Sequence, residues 1–370
     1  MLQNSKYDNF FDGTSPQINL VEPIQNPKSQ IQNRVTWTPL HAKIHRTIRS
    51  RHLFERKEHL LVAVSGGQDS LCLIKLLLDL QPKWEWKLGI AHCDHRWRND
   101  SQANAQHIEN LAKNWGISFY LQTVETRDLA SLQSEAAARE WRYQVLSAIA
   151  QEHNYKYVVT GHTASDRAET LLYNLIRGAG ADGLQALTWK RSLVDGIILV
   201  RPLLEITRTE TGLFCQDLQL PIWEDFTNQD LKYARNRIRQ EIIPYLSENF
   251  NPKVESALAQ TAELLQAEVE YLEKAAQALR EEAMVGRTII PSETPDQLLR
   301  LNRRVLQKAP IALQRRVMRQ VLQQILPVAP TFDQIEKLTA LITAPNKSQT
   351  DPFPSGATAI VESDWITIKS

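Results

Sequence analysis

Three groups of residues in this chain have types and spacings suited to chemistry. The first is Ser65-Gly66-Gly67-Gln68-Asp69-Ser70, which stops the apolar run Leu60–Val64 and opens an amphipathic helix. Glycines in such a turn let backbone N–H groups approach an anion, and the helix start adds its positive end. Ser65 and Ser70 supply hydroxyl donors. A Walker A loop would end in Gly-Lys-Ser/Thr, with the lysine reaching the outer phosphates. Here there is no lysine, and Asp69 would repel phosphate unless a cation lay between them. Mg²⁺ is that kind of cation, because it binds one or two carboxylates together with phosphate oxygens.

The second group follows another strand-like run, "YKYVVTGH". His162 ends it, and Asp166 and Glu169 come four and seven residues later, so all three can face one side of a helix start. Carboxylates at a helix N-terminus are also locally stabilised, which is a purely structural reason for them. Nearby, Gly178–Gly183 matches GxGxxG formally. It follows a helix rather than a strand, so it reads as a helix C-terminal turn and not as a dinucleotide fingerprint. The third group is spread over "AHCDHRWRND" and "SEAAAREWRY". His92 and Asp94 point to one side of their strand and His95 to the other, with Arg96 and Arg98 beyond. His92-x-x-His95 lacks a third ligand at zinc spacing, and a phosphate or ribose contact by His92 and Arg98 suits the place better. Glu135 and Arg139 form an i, i+4 pair. Arg139, Arg142 and Tyr143 share a helix face, either as a salt-bridged surface or as a basic face for ATP or RNA phosphates.

These groups require a scaffold that brings strand ends together. From Leu60 onward, strand-like and helix-like runs alternate: "LLVAV", "SLCLIKLLLDL", "KLGIAHCDH", "SQANAQHIENLAKNW" (opening at a Ser101 N-cap), "SFYLQTVE", "SEAAAREWRYQVLSAIAQEH", "YKYVVTGH" and "ASDRAETLLYNLIR". That order predicts an α/β fold, a Rossmann-like parallel sheet with helices on both faces. Ligands of such sheets sit beyond the carboxyl ends of the strands, which is where each group falls. A long helix is expected over 251–285, then a small α+β domain over 286–370 that ends in the strand pair "GATAIVES" and "WITIKS". The catalytic domain is assigned to 39–250, with a basic helix from His41 to Lys57 at its start. Residues 1–38, rich in Asn, Gln, Ser and Pro, are read as a poorly ordered extension.

Bulk composition narrows the class further. A formal net charge of +1 leaves nucleic-acid binding to local patches. One such patch is the stretch from Gln297 to Phe332, which has no acidic residue but carries Arg300, Arg303, Arg304, Lys308, Arg315, Arg316 and Arg319. No apolar run approaches the ~20 residues that span a bilayer, and there is no signal-peptide pattern, so a cytoplasmic protein without membrane contact is expected. The 3 cysteines, Cys72, Cys93 and Cys215, are too scattered for a disulfide framework or a CxxC pair.

The loop Ser65–Ser70 resembles the pyrophosphate loop of the N-type ATP pyrophosphatases, which cleave ATP between the α and β phosphates and adenylate a substrate. Within that superfamily, the stretch from Arg46 to Asn251 resembles the tRNA(Ile)-lysidine synthases. The resemblance runs through SGGQDS, AHCDHRWRN, the AREWRY helix, GHTASDRAET with RGAGADGL, RPLLEI, and EDFTNQDLKYARNRIRQEIIP, in which Asp225 and Asn228 precede Arg235-Asn236 and Arg239. Longer members carry two C-terminal domains, whereas the stretch after Pro291 allows one. The resemblance implies that ATP adenylates the wobble cytidine of an isoleucine tRNA with a CAU anticodon, and that the amine of L-lysine then displaces AMP. It implies ATP and Mg as cofactors. Ser65, Gly66, Gly67, Gln68, Asp69 and Ser70 would hold the pyrophosphate, with His92, Arg98, Arg139 and Arg142 as further ATP contacts. Asp69, Asp166, Glu169 and His162 would be catalytic, with Asp69 and Asp166 as magnesium ligands; Asp166 and Glu169 could instead receive lysine or act as base. Arg177, Arg235, Arg237, Arg239, Arg303, Arg304, Arg315 and Arg316 are the candidate RNA contacts. The competing expectations are another adenylating enzyme of the same superfamily, acting in tRNA thiolation or amidotransfer, and a non-catalytic ATP-binding module. Paired carboxylates beside the loop argue against the second.

Overall fold

The computed structural model describes residues 37–97, 100–125, 134–223, 231–284 and 299–369. Arg98, Asp225, Asn228, the side chain of Glu135 and positions 1–36 of the N-terminal extension lie outside the described residues. The chain divides into two compact units at Glu263/Leu264.

The first unit begins with α1 (Pro39–Ser50), started by a capping box at Thr38. Next come β1 (His59–Ala63), α2 (Gln68–Trp84), β2 (Lys87–Asp94), α3 (Ser101–Trp115), β3 (Ser118–Thr123), α4 (Glu135–Glu152), β4 (Tyr157–Thr160) and α5 (Ala164–Ile176). α6 (Ala181–Leu184), β5 (Lys190–Val194), β6 (Ile197–Val200), α7 (Arg208–Asp217) and α8 (Ala234–Arg237) follow. A π turn over Ile238–Ile242 joins α8 to α9 (Ile243–Asn249), and α10 runs from Val254 to Met284.

The sheet order is β3-β2-β1-β4-β6-β5, parallel except for β5. The alternation of side chains along β1 shows why helices are needed on both faces. Leu60 and Val62 pack with Ile44, Leu71, Ile108 and Phe214 of α1, α2, α3 and α7. Leu61, between them, packs with Leu146 and Ile149 of α4. After β3 the chain crosses back over β1 to lay down β4, so the strand order reverses between β1 and β4. The crevice at such a reversal is where α/β sheets bind ligands. Here it is flanked by the Ser65–Ser70 loop on one side and the Gly161–Asp166 turn on the other.

The expected parallel sheet is therefore present, with three local differences. The N-cap of α3 is Asp100 rather than Ser101, and the Asp100 carboxylate accepts from the Trp223 indole at 3.0 Å instead of capping. β5 pairs antiparallel with β6 across Asp195-Gly196, a hairpin turn with Gly196 at φ 76°. Gly178, at φ 73°, ends α5 as a helix C-terminal turn, but a four-residue helix, α6, follows where a loop was expected.

In the second unit, the later part of α10 is followed by β7 (Leu299–Asn302), α11 (Arg303–Gln307), α12 (Ile311–Ile325), α13 (Phe332–Ala340), β8 (Thr358–Glu362) and β9 (Trp365–Lys369). Its sheet is antiparallel, in the order β7-β9-β8. Ala276, Val317, Leu322, Leu338 and Ile366 share its core. β7 was not foreseen, being only four residues long and set directly before a helix. No helix among the described residues is long and apolar enough to cross a membrane.

Gly161 allows the two sides of the crevice to meet. A Cβ there would stand 3.0 Å from the Asp69 carbonyl oxygen and 3.1 Å from its carbon, both backbone atoms of α2. Gly161→Ala should therefore cost about 1–3 kcal/mol of stability by overpacking. Urea denaturation checks this, and an unchanged midpoint would mean that the two segments separate freely.

Candidate active site

The loop after β1 is closed on itself. Ser70 Oγ donates to Gly67 O at 2.8 Å and accepts from Ser65 N at 3.2 Å. Asn104 Nδ2 donates to Ser65 O at 3.0 Å. Gly66 has φ +89°, and a Cβ on it would fall 2.5 Å from Asn104 Oδ1, so only glycine fits. Gly67 is the N-cap of α2 and offers no side-chain cap. The first amides of α2 thus keep their anion-binding capacity. Gln68 has a different role from the one expected. Its side chain donates to Arg208 O at 2.6 Å and to Thr211 Oγ1 at 2.8 Å, which ties the loop to α7.

That tie places a residue the sequence reading missed. Arg208, the first residue of α7, donates to Asp69 Oδ2 at 3.0 Å, to Asp166 Oδ1 at 3.3 Å and to Glu169 Oε1 at 3.4 Å. One guanidinium thus gathers the three carboxylates singled out from sequence. Each carboxylate has a second commitment. Asp69 Oδ1 accepts from Thr211 Oγ1. Asp166 is the N3 residue of a capping box, and its Oδ2 accepts from Thr163 N at 2.8 Å and Thr163 Oγ1 at 2.7 Å. Glu169 gives both oxygens to Arg239, at 2.6 and 2.8 Å, in a fork–fork pair. Arg239 was expected to contact RNA; it reaches this carboxylate from the π turn that interrupts α8–α9, a local widening often found at functional sites.

Burial acts on these carboxylates unequally. It pushes the Asp69 carboxyl up despite Arg208 and the Thr211 hydrogen bond. Burial also lifts Glu169 against the pull of Arg239. For Asp166, burial is outweighed by Arg208, His162 and the Thr163 hydrogen bonds, and its carboxyl lies below the ordinary value. Among the described residues, no group of three or more His, Cys, Asp or Glu side chains is arranged as a metal site. The donor chemistry nevertheless fits one cation. Asp69 Oδ2 and Asp166 Oδ1 both turn toward the point that Arg208 fills, whereas Glu169 has both oxygens on Arg239.

The remaining predicted residues take varied positions. His92 is buried and hydrogen-bonded through Nδ1 to Val64 O at 2.8 Å, so it supports the strand end beneath the loop. His95 packs against the rings of Trp97 and Trp141, and burial followed by Arg142 lowers its pKa to about 4. His162 bonds through Nδ1 to Thr160 Oγ1 at 2.8 Å. Burial and then Arg201 push its pKa down to about 3, so it is uncharged at neutral pH. Arg177 and Arg235 both lie over the Tyr173 ring, at 5.3 and 5.7 Å. Arg237 donates to Leu231 O at 2.9 Å. In the second unit, the basic run is less one-sided than its sequence. Arg304 pairs with Asp364 at 2.8 Å, Arg315 with Glu336 at 2.7 Å and Arg316 with Glu273 at 2.5 Å. Arg303 donates to Ala344 O at 2.7 Å, while Arg300 and Lys308 are exposed.

Removing the shared cation should expose the cost of gathering three acids. Arg208→Gln is expected to lose about 2 kcal/mol of stability. This is less than for a fully buried pair, because about a third of the Arg208 side chain meets solvent. Without Arg208, the Asp69 and Glu169 carboxyls rise further. A carboxyl raised in the folded state contributes its penalty above its unfolded value and loses it where both states are protonated. The deficit should therefore be larger at pH 7 than at pH 5. Urea denaturation of both proteins at the two pH values checks this, and a pH-independent deficit would assign Arg208 a packing role only.

Comparison with known proteins fits this geometry. Residues 38–246 match a family model described as a PP-loop domain, and residues 301–356 match one described as a TilS substrate binding domain. A protein of Nostoc sp. named tRNA(Ile)-lysidine synthase is 73% identical over 340 residues, covering 91% of this chain and 98% of that protein. One of the same name from Synechocystis sp. is 48% identical over 338 residues, covering 90% and 98%. Among solved structures, the U34-tRNA thiolase NcsA from Methanococcus maripaludis aligns with a TM-score of 0.52 at 17% identity, over 61% of this chain and 77% of that one, a likeness of fold alone. With a pyrophosphate-type loop, three carboxylates at the sheet's switch point and relatives matched over nearly their whole length, the chain belongs to the tRNA(Ile)-lysidine synthase family.

Proposed function

We propose that the protein joins L-lysine to the wobble cytidine of the isoleucine tRNA with a CAU anticodon, in the cytoplasm. ATP first adenylates the cytidine and pyrophosphate leaves; the lysine ε-amine then displaces AMP. The observation that carries this reading is the meeting of Asp69, Asp166 and Glu169 beside the open amides of the Ser65–Ser70 loop. In our reading, Ser65, Gly66, Gly67 and Ser70 hold the departing pyrophosphate. Asp69 and Asp166 would hold Mg²⁺ through the two oxygens that now face Arg208, and the ion would supply charge neutralisation between acid and phosphate. Arg208 then has to yield or share that point.

Three carboxylates against two guanidiniums, Arg208 and Arg239, leave one negative charge for a cation to neutralise. The lysine amine arrives charged. With a reference pKa of ~10.4, its deprotonation at pH 7 costs roughly 4–5 kcal/mol. Glu169, lifted by burial, is our candidate proton acceptor. Neutral His162 contributes a hydrogen-bonding edge rather than a charge.

The test is incorporation of labelled lysine into tRNA in the presence of ATP and Mg²⁺. Wild-type protein should transfer label, while Asp69→Ala, Asp166→Ala and Glu169→Ala should reduce transfer by at least about 100-fold, the lower range for a lost general acid–base group. ATP–pyrophosphate exchange without RNA would instead favour another adenylating reaction.

A further inference from the structure

A second charged cluster, of the opposite sign, also acts on His162, and the proposed reaction leaves it unused. Arg191, exposed on the edge strand β5, holds its guanidinium carbon 4.7 Å from the centre of the Tyr143 ring. Arg139, one helical turn before Tyr143 on α4, holds its own 5.2 Å from the same ring. Arg201, just past β6, is 2% exposed; its Nη1 donates to Thr188 O at 2.7 Å, and its Nε is buried without a hydrogen-bond partner. Arg142 acts on His162 in the same sense as Arg139 and Arg201.

Three other arginines of the first unit are neutralised: Arg167 by Glu263, Arg208 by three carboxylates and Arg239 by Glu169. Arg139, Arg191 and Arg201 have no carboxylate partner among the described residues. Burial depresses both Arg139 and Arg201. Burial would raise the Tyr143 phenol, but the arginines hold it below its ordinary value. Like charges collected around one ring without a counter-ion are costly, and an arriving anion removes that cost.

Position decides which anion. β6 lies two strands from β1, about 10 Å at the usual spacing, and β5 lies one strand further. The β and γ phosphates of an ATP held at the Ser65–Ser70 loop remain at that loop, and its adenine is not anionic. A chain of phosphates can reach both places. The exposed Arg191 lets such a chain continue over the sheet edge, and arginine planes with a tyrosine ring are typical RNA contacts.

We propose that Arg139, Arg191 and Arg201, gathered around Tyr143, bind a phosphodiester of the tRNA strand next to the reacting cytidine, at a site separate from the pyrophosphate loop. This rests on the tRNA-modifying reading above. The probe is the CAU-anticodon isoleucine transcript, bound to full-length protein and titrated with salt. Arg191→Gln, at an exposed position, should weaken binding about tenfold and reduce the slope of log Kd against log salt by about one. The KM for ATP should not change. Unchanged tRNA affinity and slope, or a raised KM for ATP alone, would overturn the site. If wild-type protein itself forms no lysidine, the failure belongs to the function reading. If wild type forms lysidine while Arg191→Gln binds tRNA with the wild-type slope, the failure belongs to this proposal.

Discussion

Arg208 is one cation shared by three acids from two helices. Asp69 starts α2 after β1, Asp166 and Glu169 start α5 after β4, and Arg208 starts α7 after β6. Its backbone N–H donates to Ser165 Oγ at 3.1 Å and its carbonyl accepts from Gln68 Nε2, so its main chain is fixed from the same two helices. Three carboxylates brought this close would otherwise repel one another and take up protons. The guanidinium lets them stay together, and in doing so it closes the three strand ends around the crevice. The loop geometry, the capping box at Thr163 and the π turn that delivers Arg239 all serve this one convergence.

Much of the fold was legible because it follows short-range periodicity. Alternation along β1 and the helical spacing of α2 and α4 are visible in a few residues, and the two turns that flank the crevice follow directly from them. The carboxylates were legible too, since each sits at a helix start beyond a strand. Arg208 was not. Its partner Asp69 is 139 residues away, and nothing local distinguishes "ITRTE" from a surface helix start. Arg239 has a partner that its sequence neighbourhood does not show. In sequence it belongs to a basic run that suggests RNA, but a π turn directs it to Glu169. The run from Gln297 to Phe332 is less one-sided than its sequence, because Glu273, Glu336 and Asp364, which pair with Arg316, Arg315 and Arg304, all lie outside that window. One-dimensional charge counts cannot see partners supplied by tertiary packing.

Two groups of opposite sign act on His162. Asp166 pulls its pKa up while burial, Arg201, Arg139 and Arg142 push it down, and the cationic side wins. A neutral ring at the boundary is what this balance requires, since a charged imidazole would favour one side and add repulsion on the other. Such a layout suits a reaction whose partners carry opposite charges. On the proposed reading, the incoming amine is drawn toward Asp69, Asp166 and Glu169, and the phosphates of the RNA toward Arg139, Arg191 and Arg201. Mixing the two fields would let the arginines and acids neutralise each other, as they do in the second unit, and neither substrate would be held. Keeping them apart preserves both attractions. On that reading each group's counter-ion is a substrate, which accounts for Arg139, Arg191 and Arg201 having no carboxylate partner among the described residues.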